Sequence, residues 1–197
     1  MGHNFLNLAK NRKTTYEFNS KKISKENILK ILEAARWTPS CGNLQPWHFI
    51  VVRDQSKIRK LIDTTHYVYA PFIHPLPPVV VAFVLLKDKY LQKHQNHSVL
   101  ECCKHGGCEQ HKNELDLCFA MSVYGAVLSA ADLGIQSCIL TPKQDLASHL
   151  LKTDSIGTVR LIVGLGYELK PAFKRERSRV PLKNLVSYER YWRKNDS

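Results

Sequence analysis

The order of apolar and polar positions divides the chain into a few strong elements. After Ile23-Ser24-Lys25-Glu26-Asn27-Ile28, apolar residues recur at Ile28, Ile31, Leu32 and Ala35, the spacing of one helical face. Ser24 stands where an N-cap belongs, and Ile23 can staple onto Ile28 across it. Pro39 closes this helix, and the stretch to Pro46, punctuated by Gly42 and Asn43, is a loop. His48 to Val52, β-branched and aromatic, predicts a strand, and Lys57 to Ile62 a short helix. Val79 to Leu86 is continuously apolar and follows three prolines, which predicts a buried strand.

The longest signal runs from Leu115 to Leu133. Leu117, Ala120, Met121, Tyr124, Leu128 and Ala131 keep helical spacing there, while Ala, Val and Cys fill much of the other side. A helix apolar nearly all round predicts a central, buried element, and Gly134 is placed to cap it. Ser137 to Leu140 and Val159 to Val163 predict further strands. There is no internal repeat or low-complexity segment. Irregular alternation of helices and strands favours one α+β domain over residues 1–197, with helices packed on a central sheet. A length of 197 residues at 44% hydrophobic content suits one domain with a sizeable core.

Charge adds a second pattern. The net charge is +12, yet it is concentrated at the ends. Residues 1–25 hold six basic side chains and one acid, and residues 170–197 hold nine basic and three acidic. If the ends meet in space they form one anion site; otherwise they are two solvated basic tails. Nucleic acid is a third partner for such charge, but no zinc-finger, helix-turn-helix or RNP-type pattern accompanies it, so nucleic-acid binding is disfavoured. The longest apolar run, Val79 to Leu86, is too short to span a bilayer, and Met1 to Lys13 has no apolar signal-peptide core. A cytoplasmic protein without a membrane partner is expected. Six cysteines, with Cys102 and Cys103 adjacent, are better read as thiols than as a disulfide framework.

Three separated stretches resemble the nitroreductase family, in the family's order. Arg12-Lys13-Thr14-Thr15-Tyr16-Glu17-Phe18 is similar to its Arg-Arg-Ser-x-Arg-x-Phe opening. Ala34-Ala35 followed by Pro39-Ser40-Cys41-Gly42-Asn43-Leu44-Gln45-Pro46-Trp47 resembles its Ala-Ala-x-x-x-Pro-Ser-x-x-Asn-x-Gln-Pro-Trp block nearly residue for residue, and is the specific match. Gly164-Leu165-Gly166-Tyr167, then Arg177-Ser178-Arg179-Val180-Pro181-Leu182, is similar to its Gly-Tyr turn and closing basic segment. The resemblance implies a nitroreductase-like central sheet flanked by helices, forming an intertwined homodimer with two flavin mononucleotides (FMN) at the interface. It implies a ping-pong reaction, in which NAD(P)H reduces the flavin and the flavin reduces a nitroaromatic, quinone or similar small-molecule acceptor.

The same resemblance assigns residues. Arg12, Thr14, Arg177 and Arg179 would hold the phosphate, with guanidinium forks and a hydroxyl suited to a dianion. Lys13 is a weaker member of that group, since it can equally face water. Pro39, Ser40, Cys41, Asn43 and Gln45 would approach the isoalloxazine ring; Gly42 permits close backbone approach, and the Asn43 amide can both donate and accept. Without a ring, Asn43 would serve an Asx-type turn and Gln45 would brace Pro46. Trp47 is expected to pack in the core or a dimer interface.

Tyr16 stands where the family carries a cation near the flavin's N1 and O2, and Gly125 where its long helix often carries Asn. No His or Cys is needed as a catalytic nucleophile, because the hydride chemistry belongs to the cofactor.

Residues 89–114 are polar, carry Cys102, Cys103, His105, Cys108 and His111, and match no zinc spacing; they read as an excursion over the active site with incidental thiols. Competing functions are a specialised relative such as a dehalogenase or flavin-processing enzyme, a flavin-binding protein with little turnover, and a basic nucleic-acid binder.

Overall fold

The computed structural model describes residues 5–40, 43–65, 73–86, 107–170 and 178–191, with 107–114 described in backbone only. Four strands, β1 (Trp47–Val52), β2 (Val79–Leu86), β3 (Gln136–Leu140) and β4 (Gly157–Gly166), form one antiparallel sheet in the order β1-β2-β4-β3. The helices are α1 (Phe5–Asn11), α2 (Lys25–Arg36), α3 (Gln55–Asp63), α4 (Gly107–Asp132) and α5 (Gln144–Leu151).

Strand β2 organises the interior because alternate residues face opposite sides of a sheet. Val79, Val81 and Phe83 join one apolar cluster with Ile28, Ile31 and Ala35 of α2 and Phe119, Val123 and Val127 of α4. Val80, Ala82 and Val84 join the other, with Ile58, Leu61 and Ile62 of α3 and Ala147 of α5. Two helical layers thus sandwich one sheet, the α+β arrangement expected, and a strand buried on both faces reads as an unbroken apolar run. Phe83 meets Phe49 and Phe119 edge-on at 5.2 and 6.2 Å between ring centroids.

Local chemistry sets the boundaries. Ser24 caps α2, its hydroxyl accepting from the Asn27 N–H at 3.1 Å, and Asp54 caps α3 through the Lys57 N–H at 2.8 Å. Gly134 takes φ 69° just after α4, where an L side chain would be strained. Helices α1 and α5 were not foreseen. The first follows the polar start and buries no residue, and the second has no side-chain cap.

One expectation about α4 needs correction. Its buried face is Cys118, Phe119, Ser122, Val123, Ala126, Val127 and Ala130, whereas the stripe singled out by spacing turns outward. Leu117, Met121 and Tyr124 are 65%, 41% and 46% exposed. Phe119 and the smaller Cys, Val and Ala residues do the inward packing, while Leu117, Met121 and Tyr124 face outward. Residues Leu115–Asp132 are also long and apolar enough, at mean hydropathy 1.3, to cross a membrane by length and composition. Because the apolar residues are interrupted by Asp116, Ser122 and Ser129, no continuous run had signalled this. In the fold, that helix lies against α2 and the sheet, with its inner face in the core.

Candidate functional site

Residues 12–18 are fixed by backbone pairing along one end of the sheet. Thr14 bridges Ser137 in parallel, and the Thr15 N–H donates to the Ser137 carbonyl at 3.1 Å. Phe18 bridges Glu168 antiparallel and is fully buried, and the Asn19 N–H donates to the Tyr167 carbonyl at 2.8 Å. Gly166 makes the approach possible, because a Cβ there would lie 2.6 Å from Phe18 Cδ1. The Gly-Leu-Gly-Tyr stretch therefore seats the N-terminal segment.

This docking leaves a cavity of about 210 Å³ lined by Leu8, Asn11, Arg12, Lys13, Ala131, Ile135, Gln136 and Ser137. Arg12 and Lys13 bring two cationic side chains to its wall. Lys13 is not simply solvated: its ammonium meets both Glu168 carboxylate oxygens at 2.8 and 2.7 Å, with side-chain exposures of 39% and 15%. The Glu168 N–H in turn donates to Gln136 Oε1 at 3.1 Å, tying that pair to the cavity wall. Thr15 Oγ1, in the same segment, is the buried side-chain polar atom that lacks a partner among the described residues. A buried hydroxyl without a partner is costly and marks a place where a polar group is wanted.

A second constellation lies in the 39–45 loop. The Asn43 N–H donates to the Ser40 carbonyl at 2.9 Å, and the Gln45 N–H donates to Ser40 Oγ at 3.0 Å. Asn43 and Gln45 both hold left-handed backbone, φ 53° and 50°, at a cost of about 1–2 kcal/mol each for L residues. The Gln45 amide donates to Asn43 Oδ1 at 3.0 Å, so it braces Asn43 and not Pro46. Asn43 and Pro39 are exposed while Leu44, Pro46 and Trp47 are buried, so the loop is anchored from below and presents polar groups above. Trp47 packs in the core as expected.

Other sequence-chosen residues are placed differently. Thr14 is exposed, and Tyr16 is half-buried and packs against the α3-side apolar cluster. Arg179 is exposed, its guanidinium donating to the Ser178 carbonyl at 2.8 Å, and it does not line the cavity. Cys41 and Arg177, and Cys102, Cys103 and His105 of the polar segment, lie outside the described residues, as do the side chains of Cys108 and His111. Cys118 and Cys138 are free buried thiols, and burial pushes the Cys138 thiol up to about 12, which removes thiolate chemistry there. Among the described residues no cluster of His, Cys, Asp and Glu could hold a metal ion. Gln136, Ser137 and Glu168 were missed, because contact with a β-edge leaves no signal in a linear motif.

The family model described as Nitroreductase family matches residues 9–99, which take in both the N-terminal segment and the 39–45 loop. A solved nitroreductase family protein of Clostridium difficile 630 is 26% identical, with 96% of this chain and 100% of that chain covered at a TM-score of 0.72. Over residues 9–99 the chain is similar to the nitroreductase family. A protein of Archaeoglobus fulgidus, provisionally named NADH dehydrogenase/NAD(P)H nitroreductase, is 36% identical over 98 residues, covering 50% of this chain and 53% of that one. The Major NAD(P)H-flavin oxidoreductase of Aliivibrio fischeri is 35% identical over 65 residues, 32% of this chain and 30% of that one. The chain spans about half the length of the curated relatives it matches first.

Proposed function

We propose that this protein is an FMN-dependent oxidoreductase of the nitroreductase family that takes reducing equivalents from NAD(P)H and passes them, by a ping-pong sequence, to nitroaromatic, quinone or similar acceptors. The carrying observation is the cavity beside Arg12 and Lys13, formed where the N-terminal segment pairs with β3. A phosphate needs positive charge and several donors, and this cavity has the Arg12 guanidinium, the Asn11 and Gln136 amides and nearby Thr15 Oγ1. Asn43 and Gln45 offer the complementary chemistry, amide groups suited to the polar edge of a flavin ring. Flavin supplies hydride and electron transfer when bound, while this chain's residues bind, orient and exclude water.

Homodimerisation belongs to the same reading. All of residues 178–191 are exposed, among them Leu182, Leu185, Tyr188 and Tyr191 at 66–81%. Leu117, Met121 and Tyr124 of α4 add a second apolar patch. Apolar surface of that extent on one chain favours burial against another. A second copy would also bring Arg179 and a second 39–45 loop to each cavity. A cytoplasmic location, where NAD(P)H is supplied, goes with this function.

The test is NADH and NADPH oxidation by the FMN-supplemented protein with a quinone and with a nitroaromatic. Acceptor-dependent turnover with parallel initial-velocity lines is expected. Oxidation no faster than with free FMN would refute the catalytic reading.

A further inference from the structure

Two helices approach closely at one point, and the 39–45 loop leaves from it. Gly125 lies in the middle of α4, where glycine is among the poorest helix formers. A Cβ there would lie 2.7 Å from Thr38 Cγ2 and 3.2 Å from the Ala34 carbonyl oxygen. The backbone does not require glycine, so the neighbour does. Thr38 is also held from its other side: its hydroxyl donates to the Ala35 carbonyl at 2.8 Å, and the same carbonyl accepts from Ser122 Oγ of α4 at 3.1 Å. Thr38 is thus wedged between α2 and α4, and two residues later Ser40 anchors the turn by accepting from the Gln45 N–H at 3.0 Å.

We infer that Gly125 is a positioning residue for the 39–45 loop: the space it leaves on α4 seats Thr38, and Thr38 sets where Ser40, Asn43 and Gln45 present their polar groups. The inference rests on the reading that this loop contacts the flavin ring. A methyl at position 125 drives Thr38 outward, because the Ala34 carbonyl is backbone and yields little. The displacement passes to Pro39 and Ser40, while the Arg12 cavity meets α4 only at Ala131 and is lined by neither Thr38 nor Gly125.

The experiment compares wild type, Gly125→Ala, Thr38→Ser and the double variant, each measured for FMN and riboflavin affinity, for the visible band of the bound flavin at saturation, and for thermal midpoint without flavin. Thr38→Ser removes the clashing Cγ2 and keeps the hydroxyl. Gly125→Ala is expected to weaken both flavins equally, by about ten- to a hundredfold, and to shift the bound-flavin band, with the double variant restored to within about threefold. A purely structural role would lower the midpoint and leave the saturated spectrum unmoved. Should Gly125→Ala fail to fold, the double variant carries the test, since it must fold and bind flavin as wild type does. Wild-type affinity in Gly125→Ala, weakening confined to FMN, an unmoved saturated spectrum, or a double variant that stays impaired would each overturn the inference. A wild-type protein that takes up neither flavin overturns the underlying site reading instead.

Discussion

Replacing Glu168 with Gln should tighten FMN and leave riboflavin alone. Glu168 neutralises Lys13 through contacts of 2.7 and 2.8 Å at the wall of the Arg12 cavity. A unit ion pair at about 4 Å is worth about 4 kcal/mol at an effective dielectric of 20. Lys13 is 39% exposed, so solvent screening reduces the net contribution to about 1 kcal/mol of stability, roughly the loss expected on substitution. Gln keeps the shape and one acceptor for Lys13, but removes the negative charge. The ammonium is then unopposed beside the proposed phosphate site, and one charge-assisted contact is worth about 1.5–3 kcal/mol, of which screening leaves about a tenfold gain in affinity. Fluorescence titration of FMN and riboflavin at low and high salt reads this directly. The FMN gain should shrink with salt, while riboflavin, lacking the phosphate, stays constant. Weaker FMN binding, or equal changes in both flavins, would show that Glu168 acts only as a tether for the N-terminal segment.

Three further outcomes can be measured. Arg179→Ala should weaken FMN by about 2–3 kcal/mol and riboflavin much less, with equal weakening of both ruling out a phosphate contact. Tyr16→Arg should raise the flavin midpoint potential by about 30 mV, equivalent to roughly 1.4 kcal/mol, measured at equal FMN occupancy; an unchanged or lower value would place Tyr16 in packing alone. Glu33 is held down to about 2, first by the Arg36 hydrogen bond at 2.5 Å and then by the Trp37 indole, from 4.5. A depressed carboxyl contributes stability above its unfolded value, so that contribution should be lost as pH falls from about 4.5 to about 2, and Glu33→Gln should flatten an acid-unfolding profile across that window.

What the sequence disclosed depended on whether a feature was local. Caps at Ser24 and Gly134, the run Val79 to Leu86 and the Pro39–Trp47 block are contiguous, and each could be read in place. The outward stripe of α4 was legible as apolar but not as to which way it faced, because periodicity names two faces without saying which one meets the sheet. Gly125 stood out as a departure from the family the chain resembles, and the reason, the Thr38 methyl 87 positions away, appears only when α2 and α4 cross. The Lys13–Glu168 pair spans 155 positions and Gln136 reaches the cavity through β3, so no motif could have joined them. Arg179 was assigned from its resemblance to the family's closing basic segment, and the single chain leaves it on the surface.

The most direct test of the central claim is the visible spectrum of the purified protein, taken across a sedimentation boundary with the released cofactor identified by mass. A yellow species of twice the chain mass, releasing about one FMN per chain, is the outcome this account predicts. A colourless protein that stays colourless after incubation with excess FMN would contradict it.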